Sequence, residues 1–459
     1  MKYLLTLFIL LLVVPVRVNS QKATYPVINY TTKDYGRDFN PSNWAIAQDH
    51  RGIIYAANGL KLLEFDGTTW NSYPINKSTY ILSIAVDSSG IIYTGSQNEF
   101  GFFTPDIQGE LKYKSLSDSI DLQDINFTNI RSVHSFSGGV AFQAEEKLFL
   151  YTNGKTEVIN PETSFHTSFL VNDKLYVRQR GTGLMELKGK SLVAVKGSEI
   201  FDTTGIFLML PFSNNNKKIL IGTRDKGFWV FEPENSSSRF QKFRVENPEL
   251  IEKAEITGGV LTGDGLFAIS TLQNGVILLD NNGKIKAILN KKQGLTDNDV
   301  KQIILDQNKN LWLALNNGIS RAEISSPLSF NNERSGLTGT INTITRYKSQ
   351  LYAGTSTGLF VQDPGNEFET IFKPVSDLSF PVWSLIELKD CLLAGTSEGL
   401  FQIRGKSITK VNNEESVILY YSDKMNILFS GGPKGLTAYH YDGSLRKINS
   451  LTIPGEDIT

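Results

Sequence analysis

The sequence has one cysteine, Cys391, and four histidines in 459 residues. A single cysteine excludes an intrachain disulfide, so stability has to come from burial and strand pairing. Cys391 opens the strand-like run Cys391-Leu392-Leu393-Ala394-Gly395-Thr396 and reads as a buried thiol, not a nucleophile. His50, His134, His166 and His440 are scattered without a close pair, so their spacing offers no metal-ligand set. A Ser-His-Asp site assembled from distant residues stays open, but no G-x-S-x-G nucleophile elbow is present. Charge of one sign is also lacking. With 46 basic and 47 acidic side chains and a net charge of −1, no broad basic field exists to hold a nucleic-acid backbone. Helical patterning is absent too: outside the first 20 residues no apolar stripe of helical period runs for ten residues.

Long hydrophobic runs are missing after the start of the chain. Lys2, the apolar stretch Tyr3 to Pro15 and the modest residues Val18-Asn19-Ser20 read as a secretory signal peptide over residues 1–20, cleaved near Ser20. That apolar stretch is short of the ~20 residues needed to span a bilayer. No cysteine follows it, so no lipoprotein attachment site is expected. The mature chain is therefore expected to be exported and soluble, in the periplasm or cell envelope.

What the sequence has in quantity is aromatics, 11% of residues, and glycine, 39 of them. That pairing favours many short strands joined by tight turns. One pattern recurs: a β-rich run ending in a small residue, a short polar turn, a glycine, then an apolar run. Clear copies are Leu351-Tyr352-Ala353-Gly354-Thr355 before Gly358-Leu359-Phe360, and Leu392 to Thr396 before Gly399-Leu400-Phe401. The turn position is read at Gly59, Gly101, Lys147, Gly183, Gly227, Gly275, Gly318, Gly358, Gly399 and Gly435, a mean spacing of about 42 residues. That is the length of a four-stranded propeller blade. The glycines are expected to serve the turn, not a ligand. In the first unit the strands are expected at Trp44 to Gln48, Ile53 to Ala57, Leu60 to Phe65 and Thr69 to Tyr73. Asp turns fall at Asp49, Asp87 and Asp306, and the second strands are apolar on both faces.

The fold class is therefore all-β, a β-propeller of about ten four-stranded repeats. Ten exceeds the common closure numbers of about four to eight. The expected division is one seven-bladed propeller over residues 21–325, with a closing strand near Tyr30 to Thr32, and three blades of an incomplete second propeller over 326–459. The final stretch Ile453 to Thr459 reads as the lead-in to another blade, so a fragment or truncated frame is expected. A single ten-bladed ring is the alternative.

Tests for chemistry fail individually. Gly189-Lys190-Ser191 and Gly405-Lys406-Ser407 end like phosphate loops, but Leu184 and Leu400 stand where the first glycine is required, and hairpins are the natural reading. Asp87 and Asp306 sit in short turns, not in a twelve-residue calcium loop. Trp44, Trp70, Trp229, Trp312 and Trp383 each lie in or beside a strand pattern, where core packing is expected, although an exposed indole is what a sugar ring stacks on. Asn29, Asn76, Asn126 and Asn235 begin N-x-Ser/Thr triplets, a number that chance supplies. No catalytic residue, metal site or cofactor is assigned, and the ligand-binding residues are unknown.

The stretch Gly294-Leu295-Thr296-Asp297-Asn298-Asp299-Val300, followed by Ile303-Ile304-Leu305-Asp306, Asn310-Leu311-Trp312-Leu313-Ala314 and Asn316-Asn317-Gly318-Ile319, closely resembles the two-component regulator propeller repeat. Gly336-Leu337-Thr338 opens the next unit in the same way. Near the start, Asn43-Trp44-Ala45-Ile46, Gly52-Ile53-Ile54-Tyr55 and Leu63-Glu64-Phe65-Asp66-Gly67-Thr68-Thr69-Trp70 fit the same family. The resemblance covers residues 25–459, weakly in the third and fourth units. It implies the periplasmic sensor region of a bacterial receptor with a triple-tyrosine domain, a membrane span and a kinase or DNA-binding output, and a ligand that is often a carbohydrate fragment. The sequence has no second membrane span, kinase or helix-turn-helix pattern, so the expected function is ligand sensing by binding, not catalysis, without the output domain. A secreted propeller enzyme (lyase or glycan hydrolase) and a protein-binding scaffold are the alternatives. The expected partner is an unidentified small ligand, with an oligosaccharide as the family's suggestion. Whether the full receptor pairs as a homodimer is left open, because no helical dimerisation segment is present.

Overall fold

A computed structural model describes residues 25–452 apart from 76, 78, 122, 123, 125, 236–238, 329 and 364–370. The signal-peptide reading, the Asn76 triplet and the lead-in Ile453 to Thr459 lie outside the described residues. The strands form ten separate four-stranded antiparallel sheets. They belong to two compact units, Tyr25–Ser335 and Gly336–Thr459. Helix is confined to short pieces such as Thr32–Tyr35 and Pro248–Ala254.

The first unit holds seven blades. In the first, strands run over Ile46–Gln48, Ile54–Asn58, Lys61–Phe65 and Trp70–Pro74, within two residues of the expected bounds. The innermost strands are Ile46–Gln48, Ile81–Val86, Ser132–Phe136, Phe165–Val171, Ile206–Phe212, Ile256–Leu261 and Val300–Leu305. Each packs on the next, and the last packs on the first, so the ring is closed. The seam is pinned by Ile46 N donating to Gln302 Oε1 at 2.8 Å and Gln307 N donating to Gln48 Oε1 at 2.8 Å.

The closing strand is Val27–Tyr30, a few residues earlier than Tyr30 to Thr32. It pairs antiparallel with Ile319–Ala322 as the outer strand of blade 7. At Thr31 and Thr32 the chain already turns into a capped helical turn. Asn29 Nδ2 donates to Gly294 O at 2.8 Å, so this triplet asparagine has a structural role.

Apolar side chains meet between blades. Tyr55, Leu62, Ile81, Ile84 and Phe103 join blades 1 and 2, and Trp312, Ile319, Ile46 and Leu63 join blades 7 and 1. Second strands such as Ile54–Asn58, Ile92–Ser96 and Leu311–Leu315 are buried along their whole length, as strands sandwiched by two neighbours must be. Each Asp turn is tied to the following strand. Asp49 Oδ1 accepts from Arg51 N and Ile53 N at 2.9 and 3.0 Å, and Asp87 Oδ1 accepts from Ser89 N and Ile91 N at 2.9 and 3.0 Å.

The repeat register needs correction in two blades. Strand pairing sets Asn58 opposite Lys61 and Ser96 opposite Glu99, just as Thr355 pairs with Gly358. The turn-closing residue is therefore Lys61 in blade 1 and Glu99 in blade 2, two positions away from Gly59 and Gly101. In blade 6 and in the middle blade of the second unit glycine is required because a connector passes over it: a Cβ on Gly275 would lie 2.1 Å from Leu289 O, and one on Gly399 2.1 Å from Asn412 O. In blades 2 and 3 a buried charged side chain occupies that place. Glu99 accepts from Tyr113, Ser115 and Ser117 hydroxyls at 2.8, 2.7 and 2.6 Å, and Lys147 pairs with Asp124 at 2.5 Å.

The second unit holds three blades packed in a row, with innermost strands Ile341–Tyr347, Val382–Glu387 and Ile418–Ser422. Cys391 is buried between the last two, with Gln402 Nε2 3.2 Å from its sulfur. Ile344 in the first of these blades and Ile418, Tyr420 and Leu451 in the last stay exposed. Both Gly-Lys-Ser triplets are hairpin turns, between Gly183–Lys188 and Ser191–Ala194 and between Gly399–Arg404 and Ser407–Lys410.

Candidate functional site: the mouth of the seven-bladed channel

Every innermost strand places two residues against one near its N-terminal end. Ladders skip Leu82, His166, Phe207, Thr257 and Lys301 in the first unit, and Asn342 and Trp383 in the second. The remaining blades do the same. Trp44 N donates to Ala57 O while Ala57 N donates to Ala45 O, at 3.0 and 2.9 Å. Arg131 N and Val417 N donate to Gln143 O and Gly431 O, whose ladder partners are Ser132 and Ile418. A bulge turns one side chain out of the sheet's alternation and aims it along a new direction.

In the closed unit these bulges form a ring of seven: Trp44, Leu82, Arg131, His166, Phe207, Thr257 and Lys301. All except His166 line a cavity of about 370 Å³ along the propeller axis. Below the ring its wall continues with Ser83, His134, Ser168, Met209 and Gln302. Of the five tryptophans, Trp312 meets the core expectation at 3% exposure, but Trp44 does not. The residue is 41% exposed at the mouth, with Lys301 Nζ 5.3 Å from its ring centroid. Lys301 is itself paired with Asp299 at 2.7 Å.

The ring is chemically lopsided. Around blades 3 to 5, His166 stands edge-on to Phe207, centroids 5.2 Å apart. The Arg224 guanidinium covers Phe207 at 4.1 Å. Burial first, then the positive fields of Arg178, Arg180, Arg131 and Arg224, push His166 down to about 4. His166 is therefore neutral near pH 7.

His134 lies deeper in the channel, its Nε2 3.0 Å from Ser168 Oγ, and Ser168 Oγ reaches Gln143 Oε1 at 3.5 Å. Burial pushes His134 down to about 4, against the Ser168 contact that raises it. A histidine this weakly basic, with no carboxylate to orient it, is a poor general base. Among the described residues, no group of three or more His, Cys, Asp or Glu could hold a metal ion. His50 is exposed in the turn that follows the innermost strand of blade 1, and His440 is exposed in the last blade of the second unit.

A second cavity, about 470 Å³, opens at the C-terminal ends of the innermost strands of blades 1 and 7. Its two glutamine amides next to the seam are taken: Gln48 Nε2 donates to Gly52 O at 3.1 Å within blade 1, and Gln307 Nε2 donates across the seam to Asp49 O at 3.0 Å. The bulged end is the one with an exposed indole, Trp44, and a guanidinium, Arg131, in its lining.

No family model and no curated protein matches the chain. Among solved structures, it is similar to the extracellular domain of a protein assigned to a hybrid two-component system in B. thetaiotaomicron. That match has a TM-score of 0.64 and 18% identity over 93% of this chain and 60% of the other. It is also similar to the extracellular domain of a protein assigned to a one-component system in the same organism, with a TM-score of 0.51 and 17% identity over 92% and 59% of the two chains. The fold these extracellular domains share with the chain is a β-propeller of four-stranded blades. The chain spans about 60% of the length of these sensor structures. Virginiamycin B lyase from Staphylococcus aureus shares the propeller at a TM-score of 0.51 and 11% identity, over 65% of this chain. No described helix is long and apolar enough to cross a membrane.

Proposed function

We propose that this chain is the exported, ligand-sensing part of a bacterial signal-transduction receptor, and that it reads a small ligand, of which a saccharide is the leading class, at the bulged mouth of the seven-bladed channel. The carrying observation is the ring of bulges itself. Seven unrelated side chains are set at one end of the ring by one repeated backbone device, six of them line the axial cavity, and one of those six is an exposed tryptophan. The blade framework fixes their positions while the residue at each bulge is free to vary, which is how a common fold supports different ligands. The similarity to extracellular domains of sensor systems supports this reading, as does the signal-peptide pattern of residues 1–20. Sensing requires that the ligand favour one arrangement of the receptor over another.

The test is a thermal-shift screen of the exported protein against a panel of neutral and acidic oligosaccharides. A binder is expected to raise the midpoint in a concentration-dependent way, and Trp44→Ala is expected to remove the shift without lowering the unliganded midpoint. A shift that Trp44→Ala leaves intact would move the site away from the mouth. A propeller enzyme is the second reading, carried by the Ser168–His134 contact. Turnover of a panel member that Ser168→Ala abolishes would replace the sensing role with it.

A further inference from the structure

The mouth is neutral or apolar around blades 1, 2 and 6 and cationic around blades 3 to 5, and Lys301 at the bulge of blade 7 is already paired with Asp299 at 2.7 Å. Arg131 comes from the bulge of blade 3. Arg178 and Arg180 come from the end of the second strand of blade 4, and Arg224 from the same place in blade 5. These turns rise on the face of the ring where the bulges lie, which is why four guanidinium groups act on one imidazole, His166.

Their partners are unequal. Arg178 is buried and satisfied, donating from Nε to Phe201 O at 3.1 Å and from Nη2 to Asp202 O at 2.5 Å. Asp202 and Asp225 act on this same arginine, and Asp225 also accepts from the Thr204 hydroxyl at 3.2 Å. The other three are short of negative charge. Arg131 and Arg180 share one carboxylate, Glu145, at 3.8 and 3.3 Å, and both side chains are at least half exposed. Arg224 has one long bond, from Nη2 to Ile256 O at 3.4 Å, and its Nε is buried without a hydrogen-bond partner. A buried guanidinium donor without an acceptor costs free energy that an incoming anion recovers. Arg131 and Phe207 line the axial cavity, and the other two guanidinium groups are one contact from that lining: Arg180 shares Glu145 with Arg131, and Arg224 covers Phe207.

We propose that the ligand read at this mouth carries a carboxylate or sulfate group, held by Arg131, Arg180 and Arg224 beside His166, while Trp44 across the ring receives its apolar face. This rests on the sensing role given above and adds the charge of the ligand. Arginine forks suit both oxyanions, because two parallel N–H donors match two oxygens. The neutral imidazole of His166 supplies a further donor or an acceptor, and it gains basicity once the anion is in place.

The experiment uses the whole exported chain and three probes: digalacturonate, galactose 6-sulfate and the neutral disaccharide galactobiose. Affinities are measured by calorimetry at low and at high salt. At least one anionic probe is expected to bind, to weaken as salt rises, and to outcompete galactobiose by about tenfold or more, the worth of one charge-assisted hydrogen bond. The preferred anion distinguishes carboxylate from sulfate. Arg131→Gln and Arg180→Gln, both on exposed side chains, are each expected to weaken anion binding about tenfold with an unchanged melting temperature. If Arg224→Gln lowers the melting temperature, because it uncovers Phe207, the two exposed variants decide. An NMR titration of His166 is expected to show its midpoint rising when the anion is bound. Galactobiose binding as tightly as both acids, with loss on Trp44→Ala, would overturn the charge assignment and leave the sensing site standing. No binding by any probe, in a protein that responds to another ligand through Trp44, would overturn it as well. Binding that ignores Trp44 and all three arginines would overturn both.

Discussion

The indole Nε1 of Trp312 donates to Oδ2 of Asp306 at 3.0 Å, in the buried turn between the first two strands of blade 7. The same relation recurs with phenols: Tyr55 donates to Asp49 and Tyr93 to Asp87, each at 3.2 Å. One carboxylate oxygen organises the turn and the other holds the ring that begins the inter-blade core. Asp306→Ala leaves the Trp312 N–H and the Asn310 amide and side-chain donors without an acceptor. It is expected to destabilise the first unit by about 2–4 kcal/mol. Chemical denaturation checks this, and Asp306→Asn is expected to recover part of the loss.

The turn glycines separate two costs. Gly275 combines φ +68° with a carbonyl 2.1 Å from where a Cβ would sit, whereas Gly109, at φ +85°, has nothing within 4 Å. Gly109→Ala is expected to cost about 1 kcal/mol, from backbone conformation alone. Gly275→Ala is expected to cost at least about twice as much, because the Leu289 connector has to move. Equal melting temperatures for the two variants would contradict this account.

His134 and His166 make stability depend on pH. Both are held near 4 in the folded protein, mainly by burial, against about 6.5 in an unfolded chain. The unfolded state therefore takes up protons first as pH falls. Their contribution to stability is full above about pH 6.5, declines between 6.5 and 4, and changes no further below that. Urea midpoints are expected to fall over this interval, and less steeply in His134→Gln.

The closing strand carries its own prediction. Removing residues 25–30 deletes four paired residues of blade 7 and the Tyr30 ring that stacks on Trp312 at 5.6 Å. The loss is expected to be at least about 3 kcal/mol. Limited proteolysis is expected to begin near Ile319–Ala322, the strand left as a bare edge.

Much of this molecule was legible because repetition amplifies weak signals. Ten copies of a small residue, a turn and an apolar run fix four-stranded blades even where three copies, at Lys61, Glu99 and Lys147, lack the glycine. The register error at Gly59 and Gly101 arose where that amplification failed. Blades 1 and 2 have a glycine near the turn, but the turn-closing position is held by Lys61 and Glu99, whose side chains could not be recognised as equivalents of glycine. The site was hidden for a related reason. Trp44 looks like another strand aromatic, and period-two alternation would bury it; a bulge is what turns it out. The signal was there in Trp44-Ala45-Ile46, Leu82-Ser83-Ile84, Arg131-Ser132-Val133 and Lys301-Gln302-Ile303, where a residue of any chemistry precedes a more regular pair. The arginine cluster is invisible in sequence, since its members are brought together only when blades 3, 4 and 5 pack side by side.

That closure has a consequence for how the protein is made. Ser320 Oγ donates to Asn29 Oδ1 at 2.6 Å across 291 positions of chain. During synthesis and export the strand that completes the ring emerges first and waits for its partner until nearly the whole unit has followed. Early blades have to persist as an open arc, and the channel has no defined bore until the first-made strand meets the last. Such distant pairing is slow to form, so a channel walled on all seven sides is expected only after the last blade of the unit has met the first-made strand.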